Sequence, residues 1–103
     1  MTKFHIKWKV NSQMLPSNPV ERMKLLQSMN EMVKTLLDSY ESMDWGEYCD
    51  GSGGYTICEA NEAELYTNLI KSWPYVDFDA KPVLTIKQVI ESTNSVIAEM
   101  GTK

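Results

Sequence analysis

The stretch MDWGEYCDGSGGYTICEA, residues 43–60, decides the fold. Two runs with strand-forming character, 43–50 and 55–60, flank Gly51, Ser52, Gly53 and Gly54. Glycines supply the positive φ angles of a tight reversal, so the spacing predicts a β-hairpin. With 51–54 as the loop, Asp50 faces Tyr55, Cys49 faces Thr56 and Glu47 faces Cys58. One hairpin face then carries Gly46, Tyr48, Asp50, Tyr55, Ile57 and Glu59. The other carries Glu47, Cys49, Thr56, Cys58 and Ala60. A glycine-rich loop also cradles phosphate when a helix starts directly after it. Here the strand formers Tyr55, Thr56 and Ile57 follow, which favours the hairpin.

Both flanks of the hairpin are helical. Before it, Asn18, Pro19 and Glu21 make an N-cap, a first-turn proline and a capping-box acid. Leu26, Met29, Val33, Leu36 and Tyr40 then recur at spacings of three and four, widened by Met23, Leu25, Met32 and Leu37. That pattern predicts an amphipathic helix of some twenty residues, about 30 Å long, ending near Tyr40. After the hairpin, Asn61 and Glu64 form a second capping box. Leu65, Leu69 and Trp73 mark a buried face, and Pro74 ends that helix. Strands close the unit at either end. Phe4, Ile6, Trp8 and Val10 alternate with His5, Lys7 and Lys9, while Val76, Phe78 and Ala80 alternate before Pro82, a residue suited to an edge or bulge. Thr85 and Gln88 open a C-terminal helix lined by Val89, Thr93, Val96 and Met100, with Ile90 and Ile97 broadening the stripe.

The resulting βαββαβ order is the split-βαβ plan of a ferredoxin-like α+β sandwich. Right-handed crossovers place both helices on one face of a four-stranded antiparallel sheet of order 4-1-3-2. Residues 1–103 make one domain, with no linker or repeat. Neither hairpin face is cleanly polar, so both sheet faces are expected to be at least partly covered. The third helix and a second subunit are the expected cover for the outer face.

At this point three stretches resemble a known family: FHIKWKV at 4–10, Gly46-Glu47-Tyr48 leading into the turn, and Trp73 followed by VDFDAKPVL at 76–84. They are similar to a bacterial and archaeal domain-of-unknown-function family that itself resembles the dimeric α+β barrel superfamily. The resemblance implies a ferredoxin-like subunit and a homodimer whose two sheets face each other. The chain departs from the pattern in its long Met-rich first helix and in Cys49, which stands where such relatives are expected to carry a polar or imidazole side chain. The family brings no assigned activity with it.

Charge and composition exclude several functions. The net charge is −4, and the ten basic residues are widely spread. Binding to nucleic-acid phosphates draws on clustered Lys and Arg, so no nucleic-acid partner is expected. The run Lys3 to Lys9 mixes cations with aromatics, but in a strand those fall on opposite faces. No stretch approaches the ~20 apolar residues of a membrane span, and no basic region precedes an apolar one at the N-terminus. No membrane partner and a cytoplasmic location are therefore expected. Cys49 and Cys58 match no zinc spacing, and the lone His5 cannot complete a tetrahedral site. In the hairpin register above, the two cysteines lie diagonally, about 7–8 Å apart at the backbone, beyond comfortable bridging range. Two reduced core thiols are expected, with no metal and no cofactor.

Few residues carry obvious chemistry. His5 is the one imidazole, and with Lys7 it makes a candidate general base or anion site. Its bland reading is a solvated strand histidine. The phenols of Tyr48 and Tyr55 are candidates for orienting a small organic ligand, although tyrosines more often contribute apolar area. Trp8, Trp45 and Trp73 read as core or interface anchors, and Met23, Met29 and Met32 as core or dimer-seam filling. Glu47 and Glu59 fall on opposite faces, which argues against a paired-carboxylate mechanism. Asp77 and Asp79 share a face but are too few for a calcium cage.

Three functions follow. The first is a homodimeric small-molecule-binding α+β barrel protein without catalysis. The second is a cofactor-independent isomerase or oxygenase using His5 and Tyr48. The third is a protein-interaction module.

Overall fold

The computed structural model describes residues 1–40 and 42–101. Its elements are β1 (Thr2–Val10), α1 (Pro19–Ser39), β2 (Asp44–Glu47), β3 (Gly53–Ala60), α2 (Glu62–Ile70), β4 (Val76–Val83) and α3 (Ile86–Gly101), with a short 3-10 turn at Ser12–Met14. The sheet is antiparallel in order β2-β3-β1-β4, which is 4-1-3-2. This is the expected ferredoxin-like α+β arrangement plus a C-terminal helix.

The helix starts follow from their caps. The Asn18 side chain accepts from the Val20 and Glu21 amides at 3.0 and 3.1 Å, with Pro19 in the first turn. Asn61 accepts from Ala63 and Glu64. Thr85 and Gln88 cap reciprocally: the Thr85 amide donates to Gln88 Oε1 at 2.8 Å, and the Gln88 amide donates to Thr85 Oγ1 at 3.2 Å. Each satisfies amides that a helix leaves without partners at its first turn.

Alternation in β1 sorts the sheet faces. Phe4, Ile6 and Trp8 are buried on the inner side, where they meet Cys58, Thr56 and Gly54 of β3. Phe4, Ile6, Cys58, Ala60 and Leu65 form the core, with Met43, Leu69 and Phe78 packed against it. Burying each such aliphatic or aromatic side chain contributes about 1.5–3 kcal/mol. The core thus sits beneath α2. Helix α1 has no buried residue, and its stripe of Leu26, Met29, Val33 and Leu36 is only half-buried.

Four expectations need correction. Trp73 does not belong to a buried helix face: it lies in the turn after α2 and is 73% exposed. The hairpin register is Glu47 to Gly54, Gly46 to Tyr55, Trp45 to Thr56 and Asp44 to Ile57, four residues from the expected one. The loop is longer, because Gly53 and Gly54 belong to β3 and Gly51, at φ +75°, makes the reversal. A slip by an even number of residues leaves each side chain on its expected face. Cys49 consequently lies in the loop and is exposed, whereas Cys58 is buried, so one thiol and not two belongs to the core. Finally, α3 does not cover the sheet. Every described residue of α3 is exposed, and the molecule extends 68 Å along its longest axis. Its radius of gyration of 18.3 Å exceeds the ~13 Å of a compact chain this long.

Candidate functional site

The inner sheet face builds a cavity. Gly54 has no side chain, so the Trp8 indole lies across β3 and stacks on Trp45 of β2, with ring centroids 5.5 Å apart and planes at 17°. That aromatic pair floors a cavity of about 130 Å³, roofed by Leu26, Met29, Val33 and Leu36 of α1 and bounded by Leu65 and Leu69 of α2. The half-buried state of the α1 stripe has its cause here: the helix stands off the sheet across this space.

Trp8 carries the site's decisive polar atom. The residue is 9% exposed, and its Nε1 is buried without a hydrogen-bond acceptor among the described residues. An unpaired buried donor costs about 1–3 kcal/mol, and most such groups in native proteins are satisfied. Thr56 and Ser72, both buried, add hydroxyls to the same wall. The Cys58 thiol also lines the cavity, and burial pushes its pKa above the ordinary 9.0, so at neutral pH it is an uncharged, weakly polar group.

A second, open groove of about 770 Å³ runs between the first half of α1 and the β2–β3 loop. It shares Val10, Leu26, Asn30 and Glu47 with the cavity. The groove therefore adjoins the cavity across these residues, and Lys24, Gln27 and Glu47 are exposed along it.

The residues singled out in the sequence lie elsewhere. His5, Lys7 and Tyr55 are on the outer face, His5 paired with Ile57 and Lys7 with Tyr55. Tyr48 is in the loop and 53% exposed. Four residues along the strand and two strands across put His5 and Tyr48 roughly 15 Å apart at the backbone, so the structure does not bring this pair together. Tyr55 donates its hydroxyl to Asp44 Oδ1 at 3.3 Å. The Asp44 charge, then burial and that hydrogen bond, hold the phenol above its ordinary pKa of 10.0. It is a proton-bearing group at neutral pH.

The outer face otherwise alternates charges. Lys3, Lys7 and Lys9 run down β1, flanked by Asp44, Glu59, Asp77 and Asp79. Asp79 pairs with Lys81 at 3.6 Å, both well exposed. Among the described residues, no three His, Cys, Asp or Glu groups converge to hold a metal ion, and no helix is long and apolar enough to cross a membrane.

The sequence reading passed over Trp8 as a polar group because its alternation marks it as core. The available signal was its pairing with a glycine, which becomes visible only once the β1–β3 register is known. No curated protein matches the chain. A family model spans nearly all of it, from residue 2 to residue 97, and the chain belongs to that family: DUF3303, a domain of unknown function.

Proposed function

We propose that the protein is a homodimeric, cytoplasmic small-molecule-binding protein, and that its ligand is a flat, largely apolar organic compound carrying one hydrogen-bond acceptor. The observation that carries this reading is the apolar cavity floored by the Trp8 indole, whose buried Nε1 donor has no acceptor among the described residues. The size supports it: about 130 Å³ is close to the ~150 Å³ of an engineered apolar cavity that takes a benzene ring. The stacked Trp8 and Trp45 rings offer a planar wall for an aromatic guest. Hydrophobic lining with few placed polar groups is the usual composition of small-ligand sites.

The twofold assembly draws support from the apolar surface one chain leaves open, including Tyr66 and Ile70 of α2 and Trp73 in the turn after it. Contiguous apolar surface of this kind marks interaction sites. The two free thiols suit a reducing compartment.

The experiment is a matched ligand pair, 1-indanone and indane, measured by isothermal titration against the wild type and Trp8→Phe. The substitution keeps an aromatic ring, smaller than the indole, and removes the donor, so the donor's part is read from the difference between the two ligands. One neutral hydrogen bond contributes about 0.5–1.5 kcal/mol, so indanone should lose roughly threefold to tenfold in affinity while indane changes little. Absence of binding of both compounds at millimolar concentration would overturn the reading, as would equal losses for the two.

A further inference from the structure

We infer that α3 is an exchange arm: its apolar stripe packs on a second copy of this chain, against the outward row made by Tyr66 and Ile70 of that copy's α2 and Trp73 in the turn after it. This builds on the twofold assembly proposed above and locates its contact. On α3 and the residue before its cap, Leu84, Ile86, Val89, Ile90, Val96, Ile97 and Met100 are between 43% and 74% exposed. At 100° per residue those of the helix fall within an arc of about 120°, the width of a stripe that faces a core and not of a solvated surface helix. A sixteen-residue helix is also marginal in water without tertiary packing.

The arm's own body is a poor candidate for the missing cover. Only Leu84 and Thr85 separate β4 from α3, and the reciprocal Thr85–Gln88 cap starts the helix directly after them. The helix, about 24 Å long, is exposed along its whole length and so is not covered by its own α2. A second copy carries the matching surface: Tyr66, Ile70 and Trp73 recur at spacings of four and three, and each is 48–73% exposed.

Area agrees with a stable dimer. Seven half-exposed aliphatic side chains offer roughly 400 Å² per arm. Two arms and the equal area they cover make roughly 1,600 Å², the size of a standard stable interface. Twofold symmetry makes the exchange reciprocal, so each arm meets the same row on its partner. The outer sheet face is a less suitable seam, since Lys3, Lys7, Lys9, Asp77 and Asp79 would have to be desolvated.

Sedimentation velocity at micromolar concentration tests the assignment with three variants: Ile90→Gln with Ile97→Gln on the arm, Tyr66→Gln with Ile70→Gln on the row, and Ile57→Gln at a half-buried position on the outer face. The wild type and I57Q should sediment as two chains. The arm and row variants should each dissociate at least about a hundredfold more readily, with unchanged far-ultraviolet circular dichroism. Mixing arm and row variants should restore a mixed dimer in native mass spectrometry, because one intact arm then meets one intact row. A single-chain wild type would overturn both this inference and the twofold assembly. Loss of the dimer in I57Q alone would overturn the arm and leave the assembly standing. A dimer weakened by the arm variant that is not restored by mixing would overturn the α2 row as its acceptor.

Discussion

Replacing Gly54 by alanine tests the geometry on which the cavity floor depends. A Cβ there would stand 2.5 and 2.8 Å from two atoms of the Trp8 ring and closer still to the Gly46 carbonyl oxygen. Carbon atoms in contact sit at about 3.5–4.0 Å, so the indole would have to retreat by about an ångström. The ring can retreat only into the cavity it floors, at the cost of its stack on Trp45, and the Gly46 oxygen is held by the β2–β3 ladder. Overpacking of this kind costs about 1–3 kcal/mol. The backbone contact places Gly54→Ala at the upper end, about 3 kcal/mol, or on the order of 15 °C in melting temperature for a domain this size. Gly51 supplies the control. An added Cβ at Gly51 meets nothing within 4 Å, but φ is +75°, so Gly51→Ala should cost about 1 kcal/mol from backbone strain alone. Thermal unfolding by circular dichroism compares the two, and near-ultraviolet signal from the Trp8–Trp45 stack should weaken only in G54A. A G54A melting point within about 3 °C of wild type, or above that of G51A, would refute the close approach.

Other measurements check separate parts of the structure. Asn18→Ala and Asn61→Ala each remove a cap and should cost about 1 kcal/mol, read as a fall of roughly 5 °C in melting temperature. The exposed Cys49 thiol should react with a disulfide reagent quickly and the buried Cys58 slowly, and Cys49→Ser should abolish the fast phase; two equal phases would contradict the placement. Burial raises the folded-state pKa of Cys58 above 9.0, so its contribution to stability is complete below that pH and is lost as the pH rises past it. The melting temperature should therefore decline above about pH 9 less steeply in Cys58→Ala, relative to that variant's own neutral value. The Ser52 amide donating to Asp50 Oδ1 at 3.0 Å holds that carboxyl below its ordinary 3.8. Asp50 should thus titrate below 3.8 by NMR, its small contribution being present above the unfolded value and lost as the pH falls through the folded one.

Local chemistry made most of the fold readable. The alternation of Phe4, Ile6 and Trp8 and the caps at Asn18, Asn61 and Thr85 act within a few residues, and the structure reproduces each of them. The hairpin register failed because four clustered residues with glycine offered several reversals. The choice among them was made by Trp8, which needs Gly54 beneath it, together with Asp50, which turns the chain at Gly51. The Asp50 turn is local in sequence, but the Trp8 contact is not. Cys49 was misplaced for the same reason. The cavity was illegible because its walls come from α1, α2 and all four strands at once. Periodicity in α3 revealed a stripe that requires cover, but not which surface covers it.

Nitrogen-15 NMR of tryptophan-labelled protein offers the most direct view of the cavity, because it reports on the Trp8 indole N–H itself. On titration with 1-indanone the Trp8 Nε1–H resonance, assigned through Trp8→Phe, should move downfield and exchange more slowly with solvent, whereas indane should leave its exchange unchanged. A Trp8 resonance that stays in place with both compounds at millimolar concentration would contradict a ligand acceptor at this donor.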